Sequence, residues 1–133
     1  MKKILIVDDD TWLLDILNMF LSEEGYDVKI CSDPMECISL ATSYQPKLIF
    51  LDVFMRGQDG ISISKELKVQ ERTKNIPVII YSASIMDMEV LKDSHAEEFL
   101  QKPFEIKDLL QKKETMFSKM LSKYISLFYP ANR

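Results

Sequence analysis

Much of the chemistry on which active sites are built is scarce in this chain. It has one histidine, His95, which reads as a partly exposed loop residue. That leaves little for a histidine-rich metal centre or a Ser-His-Asp triad. Its two cysteines, Cys31 and Cys37, form neither a disulfide framework nor a zinc spacing, and they read as reduced thiols. No apolar run approaches the length of a membrane span, and Met1-Lys2-Lys3 leads into a strand, not a long signal segment. Non-membrane, cytoplasmic character is the expectation. No Gly/Ser-rich linker and no internal repeat interrupts the 133 residues, so one domain with a proper core is expected. Positive charge is also short. Lys plus Arg number 17 against 21 Asp plus Glu, a net charge of −4, which disfavours nonspecific nucleic-acid binding.

Apolar residues make up 47% of the chain, which suits a globule with a core. The informative stretch is Lys3-Ile4-Leu5-Ile6-Val7-Asp8-Asp9-Asp10. Four apolar residues, three of them β-branched, read as a buried strand. The acids behind it fall at the carboxyl edge of a sheet, where open α/β folds bind ligands. Adjacent carboxylates repel and ask for a cation, and hard oxygen ligands suit Mg²⁺. The alternative is a solvated turn in which Asp10 only caps the next helix.

Asp10 or Thr11 can cap a helix over about 12–24, with Leu13, Leu17 and Leu21, joined by Ile16 and Phe20, as its inner face. Gly25 ends it as a left-handed cap. Tyr26 to Cys31 reads as a strand, and Ser32-Asp33-Pro34 as the start of a helix that stops before Pro46. Leu48 to Leu51 is a fully apolar strand ending in Asp52. Arg56-Gly57-Gln58-Asp59-Gly60 is a turn cluster, followed by a helix through Ile61, Ile63 and Leu67. Pro77 to Tyr81 is a fourth strand ending in Ser82. A short helix over about 86–92 and a brief strand, Glu98 to Gln101, precede Lys102-Pro103. Glu105 opens a last, long helix. This alternation predicts an α/β fold, with a parallel sheet and helices on both faces.

Four strands thus end in Asp8 and Asp9, Asp52, Ser82 and Lys102. In a parallel sheet all of these lie on one edge and can converge. The three acids can hold one Mg²⁺, Lys102 can meet a phosphate from the other side, and Ser82 offers a hydroxyl donor. Such a set offsets charge on a phosphoryl group passing in line to a nucleophile. With no suitable Cys or His, that nucleophile is a carboxylate, and Asp52 is the central one.

Over about residues 2–117 the chain resembles the receiver domain of two-component response regulators. The matching residues are Ile4-Leu5-Ile6-Val7-Asp8-Asp9, Leu51-Asp52 with Met55 and Asp59-Gly60, Ser82-Ala83, and Phe99-Leu100-Gln101-Lys102-Pro103-Phe104. The resemblance implies a flavodoxin-like, doubly wound, five-stranded parallel sheet of order 2-1-3-4-5. It implies that Asp52 accepts phosphate from a histidine kinase or phosphotransfer protein. Asp9, Asp52 and the backbone carbonyl of Phe54 are then expected to bind Mg²⁺ directly, with Asp8 acting largely through water. Ser82 and Phe99 resemble the family's switch pair. Phe54 and Ser84 occupy the flanks that tune hydrolysis of the acyl phosphate. Phe54, bulky and apolar, positions water poorly, so slow self-dephosphorylation is expected.

The chain also departs from the family pattern. Arg56 stands where proline is usual. His95-Ala96 replaces Gly-Ala, so a positive φ at His95 would be strained. The interval from Ser82 to Lys102 is about two residues shorter than the resemblance implies, which makes the fourth helix short or irregular. Trp12 is expected at the outer start of the first helix. Ile106, Leu109, Leu110, Phe117, Met120, Leu121 and Tyr124 would form one stripe on a last helix roughly 36 Å long if it ran from Glu105 to Phe128. Residues 1–117 are read as the receiver and 118–133 as a C-terminal extension of that helix. Its excess apolar surface suggests a partner or a second copy, with a break near Ser118 or Ser122 as the alternative.

The expected function is a stand-alone phospho-accepting receiver that signals by protein contact to a downstream protein. It would catalyse only its own phosphorylation and dephosphorylation, and contact no nucleic acid or membrane directly. The alternatives are the N-terminal receiver of a larger regulator, a phosphate-independent interaction module, and an aspartyl-phosphate phosphohydrolase. The last wants Asp-x-Asp-x-Thr, and position 12 is Trp.

Overall fold

The structure, a computed structural model, describes residues 2–55, 57–82 and 87–101. Five strands and four α-helices alternate through these residues. They are β1 (Lys3–Val7), α1 (Thr11–Glu23), β2 (Asp27–Cys31), α2 (Cys37–Tyr44), β3 (Leu48–Asp52), α3 (Gly60–Val69), β4 (Val78–Ser82), α4 (Met88–Asp93) and β5 (Glu98–Gln101). A 3₁₀ turn, Pro34–Glu36, leads into α2. The strands form one sheet of order β2-β1-β3-β4-β5, parallel at every pairing. This is the flavodoxin-like topology expected from the sequence.

The apolar strands dictate the layering. Every residue of β3 and β4 is buried, so both faces of the sheet must be covered. On one face Leu14, Leu17 and Leu21 of α1 pack on Ile4, Ile6, Leu48, Phe50, Ile79 and Tyr81. On the other, residues of α2 and α3 such as Ala41, Ile63 and Leu67 pack on Leu5, Ile49, Leu51 and Ile80. Burying one such aliphatic side chain stabilises the fold by about 1.5–3 kcal/mol. The inner face of α1 is turned from the expected one. Leu14 is buried in place of Leu13, and Phe20 is 39% exposed. Leu17 and Leu21 are buried as expected; faces through 13 and through 14 are nearly equivalent beside them at helical spacing, and contact with the sheet selects the second.

Aspartates start α1, the 3₁₀ turn, α3 and α4, while α2 continues from the 3₁₀ turn with no side-chain cap. Asp10 accepts from the Leu13 N–H, Asp33 from Met35, Asp59 from Ile61 and Asp87 from Glu89. Helix α1 ends as expected at Gly25 (φ 92°), with the Gly25 N–H donating to Ser22 and the Tyr26 N–H to Leu21. The turn cluster after β3 contains a feature absent from the sequence reading. Phe54–Met55 and Gln58–Asp59 pair as a two-residue antiparallel ladder separate from the main sheet. Arg56, Ser84, Lys102, the last helix with its apolar stripe and the boundary between 117 and 118 lie outside the described residues. Among the described residues, no helix is long and apolar enough to cross a membrane.

His95 has φ 58°, just after the Ser94 that closes α4. A left-handed conformation costs a non-glycine residue roughly 1–2 kcal/mol. The added chain entropy of glycine takes back about 0.5–1 kcal/mol. The exposed His95→Gly variant is therefore expected to be more stable than wild type by about 0.5–1 kcal/mol, read by urea denaturation.

Candidate functional site

Register builds the site. β1 and β3 are neighbours with Val7 opposite Leu51, so Asp8 and Asp52 follow at the same level of the sheet. The Asp8 N–H continues the ladder to the Cys31 carbonyl at 3.1 Å, and the Val53 N–H continues it to the Tyr81 carbonyl at 3.0 Å. One carboxylate oxygen from each of Asp8, Asp9 and Asp52 lies within 4.8 Å of the others. Asp8 is 0% and Asp52 4% exposed. At that separation each ionised pair repels by at least about 3 kcal/mol at an effective dielectric near 20. Clustered, largely buried carboxylates are hard ligands at a spacing one small cation can bridge, so this donor set fits Mg²⁺.

The third acid of the run has a different task. Asp10 turns away to cap α1, its Oδ1 accepting from Leu13 at 3.2 Å. The cap and the cluster are thus both present, divided among neighbouring aspartates. Asp8 is held from two directions. Its Oδ1 accepts the Asp10 N–H at 2.9 Å, and its Oδ2 accepts the Tyr81 hydroxyl at 3.0 Å.

Tyr81 was not foreseen as a site residue. It stands opposite Asp52 in the β3–β4 register, fully buried, with its ring in the core under α1. Burial, then the negative charge of Asp8 and Asp52, push its phenol well above the usual tyrosine range, so it remains a donor. The signal in the sequence was a single polar tip in the otherwise aliphatic run Val78-Ile79-Ile80-Tyr81; a buried tyrosine hydroxyl needs a partner.

The other expected residues fall as follows. Ser82 ends β4 at the same edge and is fully buried. Phe99 lies on β5, half-buried against the core on the α2–α4 side. Phe54, two residues after Asp52, is 57% exposed, and Trp12 is 74% exposed on the first turn of α1. Lys102 and Ser84 lie outside the described residues.

A flavodoxin-like sheet with three clustered carboxylates and a buried hydroxyl at its carboxyl edge defines the class. The model of the response regulator receiver domain matches residues 4–114, and the chain belongs to this family. It is 38% identical over 112 residues, 83% of this chain, to a DNA-binding dual master transcriptional regulator, RpaA, of Synechocystis. It is 28% identical over 111 residues to the DNA-binding response regulator MtrA of Mycobacterium tuberculosis. The matches cover 46% and 47% of those proteins, so the chain spans about half the length of these curated relatives. Among solved structures, the Vibrio cholerae chemotaxis protein CheY4 superposes with a TM-score of 0.82 at 25% identity, covering 87% of this chain and 98% of that one. A Francisella response regulator receiver domain superposes at 0.80 with 30% identity, covering 90% and 99%.

Gly60 supports the pocket from below. It opens α3 directly against β3, with its N–H donating to the Val53 carbonyl at 2.8 Å. A Cβ there would overlap the Asp52 carbonyl oxygen and stand 2.8 Å from the Val53 Cα. Gly60→Ala is therefore expected to cost about 1–3 kcal/mol, measured by urea denaturation. A variant as stable as wild type would mean that the backbone at Asp52 yields freely.

Proposed function

We propose that this receiver takes a phosphoryl group onto Asp52 from the phosphohistidine of a histidine kinase or phosphotransfer protein, with Mg²⁺ bound, and so switches a protein-contact surface. The observation that carries the reading is the convergence of the Asp8, Asp9 and Asp52 oxygens within 4.8 Å at the sheet's carboxyl edge in a member of the receiver family. An oxygen of Asp52 attacks phosphorus in line. The P–N bond to the donor imidazole breaks, the bond electrons return to that ring, and an acyl phosphate forms on Asp52. Asp9, Asp52 and the Phe54 carbonyl would hold the cation, and Asp8 would act largely through water. When bound, Mg²⁺ supplies charge compensation on the phosphoryl oxygens. Ser82 donates its hydroxyl to the phosphoryl group, and Lys102 supplies a positive charge. Movement of Ser82 lets Phe99 turn further inward, a two-state shift for which the phosphoryl group is the differential ligand.

In this reading the chain catalyses only its own phosphorylation and dephosphorylation, and it works in the cytoplasm. A second reading is favoured by the names of its relatives: the receiver governs a DNA-binding output within a larger regulator. In that case nucleic-acid contact belongs to the output part, which agrees with the acidic balance of this one.

Incubation with a small acyl-phosphate donor and Mg²⁺ is expected to add one phosphoryl group, read by intact mass. Asp52→Asn is expected to add none; labelling of that variant to the wild-type extent would sink the proposal. Phe54→Asn introduces a group able to position water next to the acyl phosphate. Loss of phosphate is expected to quicken several-fold, and an unchanged half-life would refute a tuning role for Phe54.

A further inference from the structure

Three acids at one sheet edge do not arrange themselves. Two like-charged neighbours, Asp9 and Asp52, act on Asp8. Asp8 is 0% exposed, so its orientation is set by the protein groups around it and not by bulk water. One of those groups lies far off in sequence. The Tyr81 phenol, also fully buried, donates to Asp8 Oδ2 at 3.0 Å across the end of β3, from a ring fixed among Phe50, Ile79 and the α1 leucines. A second bond, from the Asp10 N–H to Oδ1 at 2.9 Å, is local and backbone-made. Together they engage both oxygens of Asp8 and fix the plane of its carboxylate.

We propose that Tyr81 is a positioning residue for the cation site: its hydroxyl holds the Asp8 carboxylate in the cluster with Asp9 and Asp52, so that Mg²⁺ meets an acid already oriented. The inference rests on the receiver reading, and deepens it. Two effects of the phenol oppose each other. Donation withdraws electron density from Asp8 and weakens its pull on a cation. It also prevents the acid from swinging away from its two like-charged neighbours. The second effect dominates here, because Asp8 acts largely through water, where its direction matters more than its basicity. Outer groups that orient metal-binding side chains typically govern affinity by about 10–100-fold. Tyr81 also immediately precedes Ser82, so the same bond joins the acid of β1 to the strand that carries the buried hydroxyl.

The test is a double-mutant cycle on the whole chain, with Mg²⁺ affinity measured by calorimetry at fixed ionic strength. Tyr81→Phe keeps the ring and removes only the donor. It is expected to weaken Mg²⁺ binding several-fold, less than the loss of a group that orients a direct ligand. In an Asp8→Ala background the same substitution is expected to change nothing further. Wild-type affinity in Tyr81→Phe, whatever its stability, would reduce the hydroxyl to a packing role and overturn the proposal. An equal loss in both backgrounds would overturn it too, since the effect would not pass through Asp8. In the wild type, the Tyr81 hydroxyl proton is expected to resolve by NMR and to shift on Mg²⁺ saturation. A resonance indifferent to Mg²⁺ contradicts the proposal without relying on any variant folding. Failure of the wild type itself to bind Mg²⁺ or take up phosphate would remove the receiver reading as well. Failure of the Tyr81 proposal alone leaves wild-type binding and labelling intact.

Discussion

Electrostatic repulsion among Asp8, Asp9 and Asp52 is the constraint around which the molecule is arranged. Charges this close, two of them almost out of water, oppose folding. They stay together because the strands beneath them cannot move apart. β1 and β3 are adjacent, parallel and buried, and their register brings the two acid-bearing ends out at one level. The hydrophobic layers on both faces provide the free energy that holds like charges in contact. The fold accepts a local destabilisation at its edge, and a bound cation would reverse it.

The local chemistry around the acids is divided finely. Within Asp8-Asp9-Asp10, one side chain is turned into the core edge, one remains half-buried, and one caps a helix. The cap itself helps the cluster, because the backbone of Asp10 supplies the N–H that binds Asp8. On the far side Gly60 lets α3 begin against the Asp52 backbone, where any side chain would intrude. Positions that look like ordinary turn and cap residues therefore share in setting the pocket's dimensions.

The corner around α4 is less regular. Helix α4 has only six residues, none of them buried, and its Ser94 cap is followed by a histidine in a left-handed conformation. Ser64 of α3 ties this corner down through a buried bond to the Ser94 carbonyl at 2.8 Å, and Lys68 reaches Glu97 at 2.8 Å. A short, little-buried helix fastened by a few polar bonds has low local stability.

The sequence by itself determined the element order, the parallel sheet and the strand ends on which the acids and Ser82 sit. These follow from short-range facts: β-branched apolar runs, acidic caps, and the left-handed stop at Gly25. It also marked His95 as a place where the backbone would be strained. Only the tertiary structure decided which of two equivalent stripes of α1 faces the core, since that choice depends on the sheet it meets. It also chose Asp10 over Thr11 as the cap of α1. It alone revealed Tyr81 as the partner of Asp8, because that bond joins residues 73 apart in sequence, and no periodicity records a contact made across an intervening strand. Local pattern specifies what a segment becomes; the distances between side chains on different strands exist only after the sheet has closed.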